Sequence, residues 1–300
     1  MIRSALVAGG VSLGVASVVL WGIFAARTRW PLRAKGDRRP LAGLAVGLGC
    51  LVGTASVSNV IPLLVLLGGA AILLVGALDD WIDLAPWQKL LGQAVAAGLA
   101  AAGLAPLSLS FFGLDVSLGA AAWTVPFLWV MALTNAVNLI DGLDGLAVTT
   151  VASPFVALLG LALWEGDPLG AVVSGATLGA LVAFLPANLP QARLLLGDAG
   201  AELLGYLLAL LTLLLVDGQG GEPRTWAVIP SLLFAAIPLC DTAFAVLRRA
   251  ARGRSILCGD EGHIHHRLAR RFGSGRAVLL LAAASALCTV GGVLLWRAGT

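Results

Sequence analysis

The chain has 300 residues, enough for one large or two small soluble domains. Its composition excludes both. Hydrophobic residues make up 59% and charged residues 12%, where ordinary globular proteins carry about 25% charge. With 38 glycines added, the apolar share reaches about 71%, against roughly 45–50% in soluble domains. Such a surface needs a bilayer. At about 20 residues per span, the hydrophobic content fills roughly nine helices.

In chain order, apolar segments fall near 2–26, 41–57, 60–78, 88–106, 119–137, 146–164, 169–187, 200–216, 227–247 and 277–296. Continuous runs of this length predict helices rather than the short alternating strands of a barrel. The expected fold class is therefore all-α: a polytopic integral membrane protein with about ten transmembrane helices. Residues 1–300 read as a single transmembrane domain with no separate soluble domain. No small-residue cleavage site and polar mature region follow the first segment, so it reads as a span rather than a signal peptide. Cys50, Cys240, Cys258 and Cys288 are scattered without a CxxC pair, which argues against a disulfide framework or a structural zinc site.

Ten spans place alternate loops on opposite sides of the membrane. One set (27–40, 79–89, 135–145, 188–198 and 248–276) carries sixteen of the nineteen Lys and Arg residues. By the positive-inside rule that side is cytoplasmic and both termini face outward.

The clusters of carboxylates, amides and histidines fall on the same side. The third segment ends in GALDDWIDLAPWQKLLGQ, with Asp79, Asp80 and Asp83. Asp79 and Asp83 are four apart, so a continuing helix would present both on one face. The fifth runs into TNAVNLIDGLDGLA, with Asn135, Asn138, Asp141 and Asp144; Gly142 and Gly145 break the helix there and suit a loop that approaches a ligand closely. The seventh leads through NLPQARLLLGDAG, with Asn188 and Asp198, the latter placed to cap the eighth helix. The ninth carries Asp241 in PLCDTAFAVLRR, seven residues before Arg248 and expected to pair with it. RGRSILCGDEGHIHHRL then holds the chain's only histidines, His263, His265 and His266, among several arginines.

Carboxylates at a span's end are expensive unless paired, hydrated or bound to a cation. Clustered Asp without thiolates favours Mg²⁺ or Mn²⁺ over zinc, and Mg²⁺ typically takes one or two carboxylates plus substrate phosphates. Arginines beside the histidines supply donors suited to phosphate oxygens. They also serve topology and anionic headgroups.

These motifs, in this order, resemble the polyprenyl-phosphate N-acetylhexosamine-1-phosphate transferases. That family includes the bacterial UDP-N-acetylglucosamine–undecaprenyl-phosphate transferases and the phospho-N-acetylmuramoyl-pentapeptide transferase. The resemblance covers about residues 36–270 and the ten-span plan. It implies transfer of a sugar-1-phosphate, with N-acetylglucosamine expected, from a UDP-sugar to undecaprenyl or another polyprenyl phosphate. UMP leaves, and the product begins a lipid-linked cell-envelope glycan. By motif, Asp198 and Asp79 are the expected ligands of Mg²⁺ or Mn²⁺, and Asp79, Asp80, Asp141 and Asp144 the catalytic acids. Asn138, Asn188, His263, His265, His266 and Arg254 are expected to bind substrate. Ala201 stands where the family usually has Ser, and LLLGD replaces the usual FMGD. The implied partners are UDP-N-acetylhexosamine, polyprenyl phosphate and membrane lipids, with no nucleic acid; the assembly to test is a homodimer. The implied location is the bacterial cytoplasmic membrane, multi-pass, with the site facing the cytoplasm. The alternative within the chemistry is another N-acetylhexosamine or phospho-MurNAc-pentapeptide as donor. From a different class, a secondary transporter would place its carboxylates near the midplane, often within internal repeats, and no repeat is visible.

Overall fold

The computed structural model describes residues 1–29, 42–57, 60–104, 106–107, 109–111, 114–116, 118–189, 191–217, 224–253 and 262–299. Each of the ten apolar segments forms helix. They are α1 (Ile2–Arg29), α2 (Ala42–Ala55), α3 (Leu63–Ile82), α4 (Pro86–Gly103), α5 (Ala121–Ile140), α6 (Leu146–Glu165), α7 (Pro168–Asn188) and α8 (Gly197–Asp217). The ninth segment divides into α9 (Val228–Phe234) and α10 (Ala236–Ala251), and α12 (Ser274–Gly299) is the tenth. Between α10 and α12 lies α11 (Ile264–Phe272), in a stretch the sequence presents as a loop. A small antiparallel hairpin, β1 (Leu109–Phe111) and β2 (Leu114–Val116), joins α4 to α5 and pairs Leu109 with Val116.

Among the described residues, seven helices are long and apolar enough to cross a membrane, or eight if α9 and α10 form one bent span. The chain is a multi-pass membrane protein. Helix α2 has 14 residues, short for a full hydrocarbon thickness, and α4 does not reach the hydropathy of the seven. The axis bends by 80° between α9 and α10. Pro238 explains the break. It has no N–H to donate to the carbonyl of Phe234, four residues back, and its ring would collide with that carbonyl in a continuous helix.

Helix α8 is the centre of the fold. Beyond the Asp198 and Glu202 of its first two turns it is apolar on all sides, and it is almost wholly buried, packed by α5, α3 and α2 with α6 and α7 behind. Helices α1, α2 and α7 pack as one group, α6 joins α7 to α12, and α3 pairs with α4. The only tyrosine, Tyr206 on α8, donates its hydroxyl to the Val65 carbonyl of α3 at 2.7 Å.

Close approach at one end of α8 sets up the site. A Cβ on Gly76 of α3 would lie 2.5 Å from both the backbone N and the Cα of Ala199. Only glycine lets the two backbones meet there. The contact brings the end of α3 against the start of α8, with Asp79 and Asp80 three and four residues beyond it.

Candidate active site

The first turn of α8 exposes backbone N–H groups with no partner inside the helix. Asp80 satisfies two of them: its Oδ1 accepts from Asp198 N at 2.9 Å and its Oδ2 from Ala199 N at 3.1 Å. The cap of α8 is thus Asp80 from a neighbouring helix. Asp198, expected as the cap, lies inside the first turn with its carboxylate turned elsewhere.

Helix α3 stops one residue before Asp83, which takes the left-handed conformation (φ 56°) and is exposed. The anticipated Asp79–Asp83 face therefore does not form. Asp79 instead turns back over the helix end. Its Oδ1 accepts from Leu84 N at 2.8 Å and its Oδ2 from the ammonium of Lys89 at 2.7 Å.

Lys89, at the start of α4, is the hub of the cluster. Its Nζ bonds Asp79, Asp198 and, at 3.0 Å, Oε1 of Glu202. Glu202 is fully buried one turn below Asp198 on α8. Gln93 Nε2 also donates to Glu202 Oε1 at 2.9 Å, and Gln93 Oε1 accepts from Asn135 Nδ2 at 2.7 Å. Sequence reading left out Glu202 and Gln93. Their signal was spacing: Glu202 is four residues after Asp198, and Gln93 four after Lys89, so each pair shares a helix face.

Beside this cluster is a cavity of about 370 Å³, lined among others by Asn138, Asp141, Gly142, Asp144, Asn188 and Asp198. These come from three chain segments at one end of the bundle. Gly145, at φ 79°, turns the chain from the end of α5 into α6. Asp144 Oδ2 accepts from Ala192 N at 3.1 Å, and Asn188 Nδ2 donates to the Leu194 carbonyl at 3.0 Å. Both bonds hold the 189–196 loop against the cavity. Asn138 Nδ2 is buried beside the Asp198 carboxylate, with no hydrogen bond of ordinary geometry among the described residues, and the two side chains line the same cavity. Asp141 is pushed well above the usual carboxylate range, first by burial and then by the charges of Asp198, Asp80 and Asp144. A divalent cation held by oxygen ligands fits that donor set.

The histidine motif packs against the cavity loop at Gly142. Asp241 does not take Arg248 as its close partner. Its Oδ2 lies 2.8 Å from His263 Nδ1 and 3.1 Å from His265 Nδ1, and its Oδ1 accepts from Ile264 N at 2.6 Å. One carboxylate thus anchors two imidazoles and the start of α11. These three residues also bring potential metal-ligand atoms within 4.8 Å of one another, yet the spacings from Asp241 are those of hydrogen bonds. His265 is 1% exposed, and its Nε2 has no partner among the described residues. A Cβ on Gly142 would lie 2.5 Å from that Nε2, so the histidine packs onto the cavity loop where only glycine leaves room. His266 packs against His265 with ring centroids 4.2 Å apart and the planes inclined by 48°. Its pKa is lowered by burial first, then by His265, His263 and Arg270. Arg254 lies outside the described residues.

The structure brings together Asp79, Asp80, Asn138, Asp141, Asp144, Asn188 and Asp198 around one cluster and cavity, with His265 and His266 against Gly142. His263 joins them through Asp241. This is a multi-pass membrane protein with a carboxylate-, amide- and histidine-lined site at one end of its helices. Residues 62–216 match the glycosyl transferase family 4 profile, and the chain belongs to that family. Its relatives include the probable undecaprenyl-phosphate N-acetylglucosaminyl 1-phosphate transferase of Bacillus subtilis, 31% identical over 234 residues (76% of this chain and 64% of the relative). The decaprenyl-phosphate N-acetylglucosaminephosphotransferase of Mycobacterium tuberculosis is 32% identical over 278 residues, 80% of this chain and 68% of the relative. The undecaprenyl-phosphate alpha-N-acetylglucosaminyl 1-phosphate transferase of Escherichia coli is 31% identical over 231 residues, 73% and 62%. The chain thus spans a little under two thirds of the Bacillus and Escherichia relatives. The family match takes in the aspartates up to Asp198 but ends before the histidine motif.

Proposed function

We propose that this protein transfers a sugar-1-phosphate, N-acetylglucosamine-1-phosphate first among the candidates, from a UDP-sugar to a polyprenyl phosphate and releases UMP. The observation that carries this reading is the juxtaposition of the Asp79–Lys89–Asp198 cluster with the Asn138–Asp141–Asp144 cavity. Together they supply cation ligands, a resident positive charge and an amide donor. Phosphoryl transfer asks for little else, since it is mostly positioning and charge neutralisation. The names of the relatives support the same chemistry, and the bilayer location suits a lipid acceptor.

Asp198 and Asp79 would hold Mg²⁺ or Mn²⁺, which when bound neutralises charge on the donor diphosphate. Lys89 supplies a further cation against the phosphates. Asp80 acts by holding the first turn of α8, and so Asp198, at the end of α3. Asn138, Asp141, Asp144 and Asn188 bind the nucleotide side of the donor. His263, His265, His266 and Arg254 bind phosphate or sugar.

Ten spans are counted when the broken α9–α10 pair is one span and α2 and α4 also cross. Both termini then face outward and the site opens to the cytoplasm, a reading the Lys and Arg distribution supports. The full sequence acts as one transmembrane domain in the bacterial inner membrane. The deciding experiment uses purified protein in detergent with Mg²⁺, undecaprenyl phosphate and a panel of UDP-sugars. Lipid-dependent UMP release with at least one sugar is expected. No release with any of them refutes the reading.

A further inference from the structure

Three carboxylates share one ammonium in this site. Asp198 lines the cavity and Asp79 meets it across the ammonium, whereas Glu202 lies one turn deeper on α8 and is 0% exposed. A buried glutamate is costly unless paired and hydrogen-bonded. Here Oε1 receives both Lys89 and Gln93, and Oε2 has no partner among the described residues. Helix packing alone would favour an apolar side chain at this place, as at Leu203 and Leu204 beside it. The charge therefore calls for a task.

Counting the charges shows what it does. Among the groups bonded to Lys89, Asp79 and Asp198 with the ammonium carry a net charge of about −1, so Lys89 offsets one of the two carboxylate charges that a divalent cation would use. Glu202 makes the net charge −2. It also gives Lys89 a partner below the plane of Asp79 and Asp198. The lysine can then stay charged at depth while the two aspartates turn their oxygens to a cation.

We propose that Glu202 is a positioning residue: a buried counter-charge that retains Lys89 and thereby leaves Asp79 and Asp198 able to bind a divalent cation. This rests on the assignment of those aspartates as cation ligands. Gln93 and Asn135 extend the arrangement, since Asn135 donates to the Gln93 amide oxygen and Gln93 in turn donates to Glu202.

The test is Mn²⁺ binding to the full chain in uncharged detergent, read by electron paramagnetic resonance of free Mn²⁺, with thermal unfolding of the metal-free protein alongside. Glu202→Gln preserves the shape and removes the charge, so its Mn²⁺ dissociation constant should rise about tenfold or more. Glu202→Asp, which keeps the charge, should bind more tightly than the Gln variant. The double variant Lys89→Met with Glu202→Met restores the net charge of −2 and should recover most of the affinity. Recovery in the double variant is not expected of a residue that merely supports the fold, and it can be read even if Glu202→Gln proves too unstable to purify. Equal affinity in wild type, Glu202→Gln and the double variant overturns the inference while the cation reading stands. Absence of Mn²⁺ binding by wild type overturns the cation assignment itself, and the role of Glu202 with it.

Discussion

Gly76 gives the sharpest handle on how the site is assembled. Replacing it with alanine adds one methyl group whose carbon would lie 2.5 Å from Ala199 N and Cα and 2.7 Å from the Asp198 carbonyl carbon. All three are backbone atoms of the first turn of α8, so no side chain can swing aside. Ordinary contact between heavy atoms needs roughly 3.5 Å, so α3 and α8 must separate by about 1 Å. Overpacking of this kind costs about 1–3 kcal/mol of stability. The same displacement stretches both bonds from Asp80 to α8 and moves Asp79 away from Asp198. A misplacement of about 1 Å can cost on the order of 10²-fold in rate, equivalent to about 2.7 kcal/mol in the barrier. The assay is lipid-dependent UMP release, with thermal unfolding in the same detergent. The control is Gly98→Ala on α4, where an added Cβ meets nothing within 4 Å and turnover should stay normal. If Gly76→Ala turns over within about twofold of wild type, the close α3–α8 contact is not what aligns the aspartates.

Other expectations follow from single residues. Asp198→Asn or Asp79→Asn should lower UMP release by several orders of magnitude with the fold retained, and near-normal turnover in both would remove them from the site. Asp241→Asn loses a charged acceptor that serves two imidazoles and the Ile264 amide, with charged hydrogen bonds worth about 1.5–3 kcal/mol each. It should lower the unfolding midpoint and weaken donor binding, seen as a raised KM for the UDP-sugar. Asp141 offers a pH test. Its carboxyl is raised in the folded chain, so its contribution to stability is greatest when protonated and is lost as pH rises through the raised value. In metal-free buffer, Asp141→Asn should therefore unfold at a higher temperature than wild type at pH 7–8. The gap should close toward pH 4, while UMP release is lost. An unchanged midpoint at neutral pH would refute the crowding of charge around Asp141.

Much of the site was legible as spacing. Asp79, Asp80, Asn138, Asp141, Asp144 and Asp198 stand at ends of apolar runs, where a charge is too costly to be incidental. Their common side followed from the Lys and Arg distribution. The partners were not legible, because a partner depends on which helices touch. Asp198 read as a cap for its own helix, yet Asp80 holds that position from α3. Arg248 read as the partner of Asp241 by proximity in sequence, but the histidines more than twenty residues on are the ones that reach it. Glu202 and Gln93 passed unnoticed inside apolar runs that read as core.

What the sequence determined by itself is the solvent: with 59% hydrophobic residues and 12% charge, the chain needs a bilayer, and the ten apolar segments that become helix follow from what a bilayer tolerates. Tertiary structure alone decided the pairing of charges. Hydropathy acts on each segment separately, whereas an ion pair exists only where two backbones come close enough. Here that distance is set by Gly76 meeting the first turn of α8, and the four-residue spacing of Asp198 and Glu202 then puts both carboxylates on one lysine.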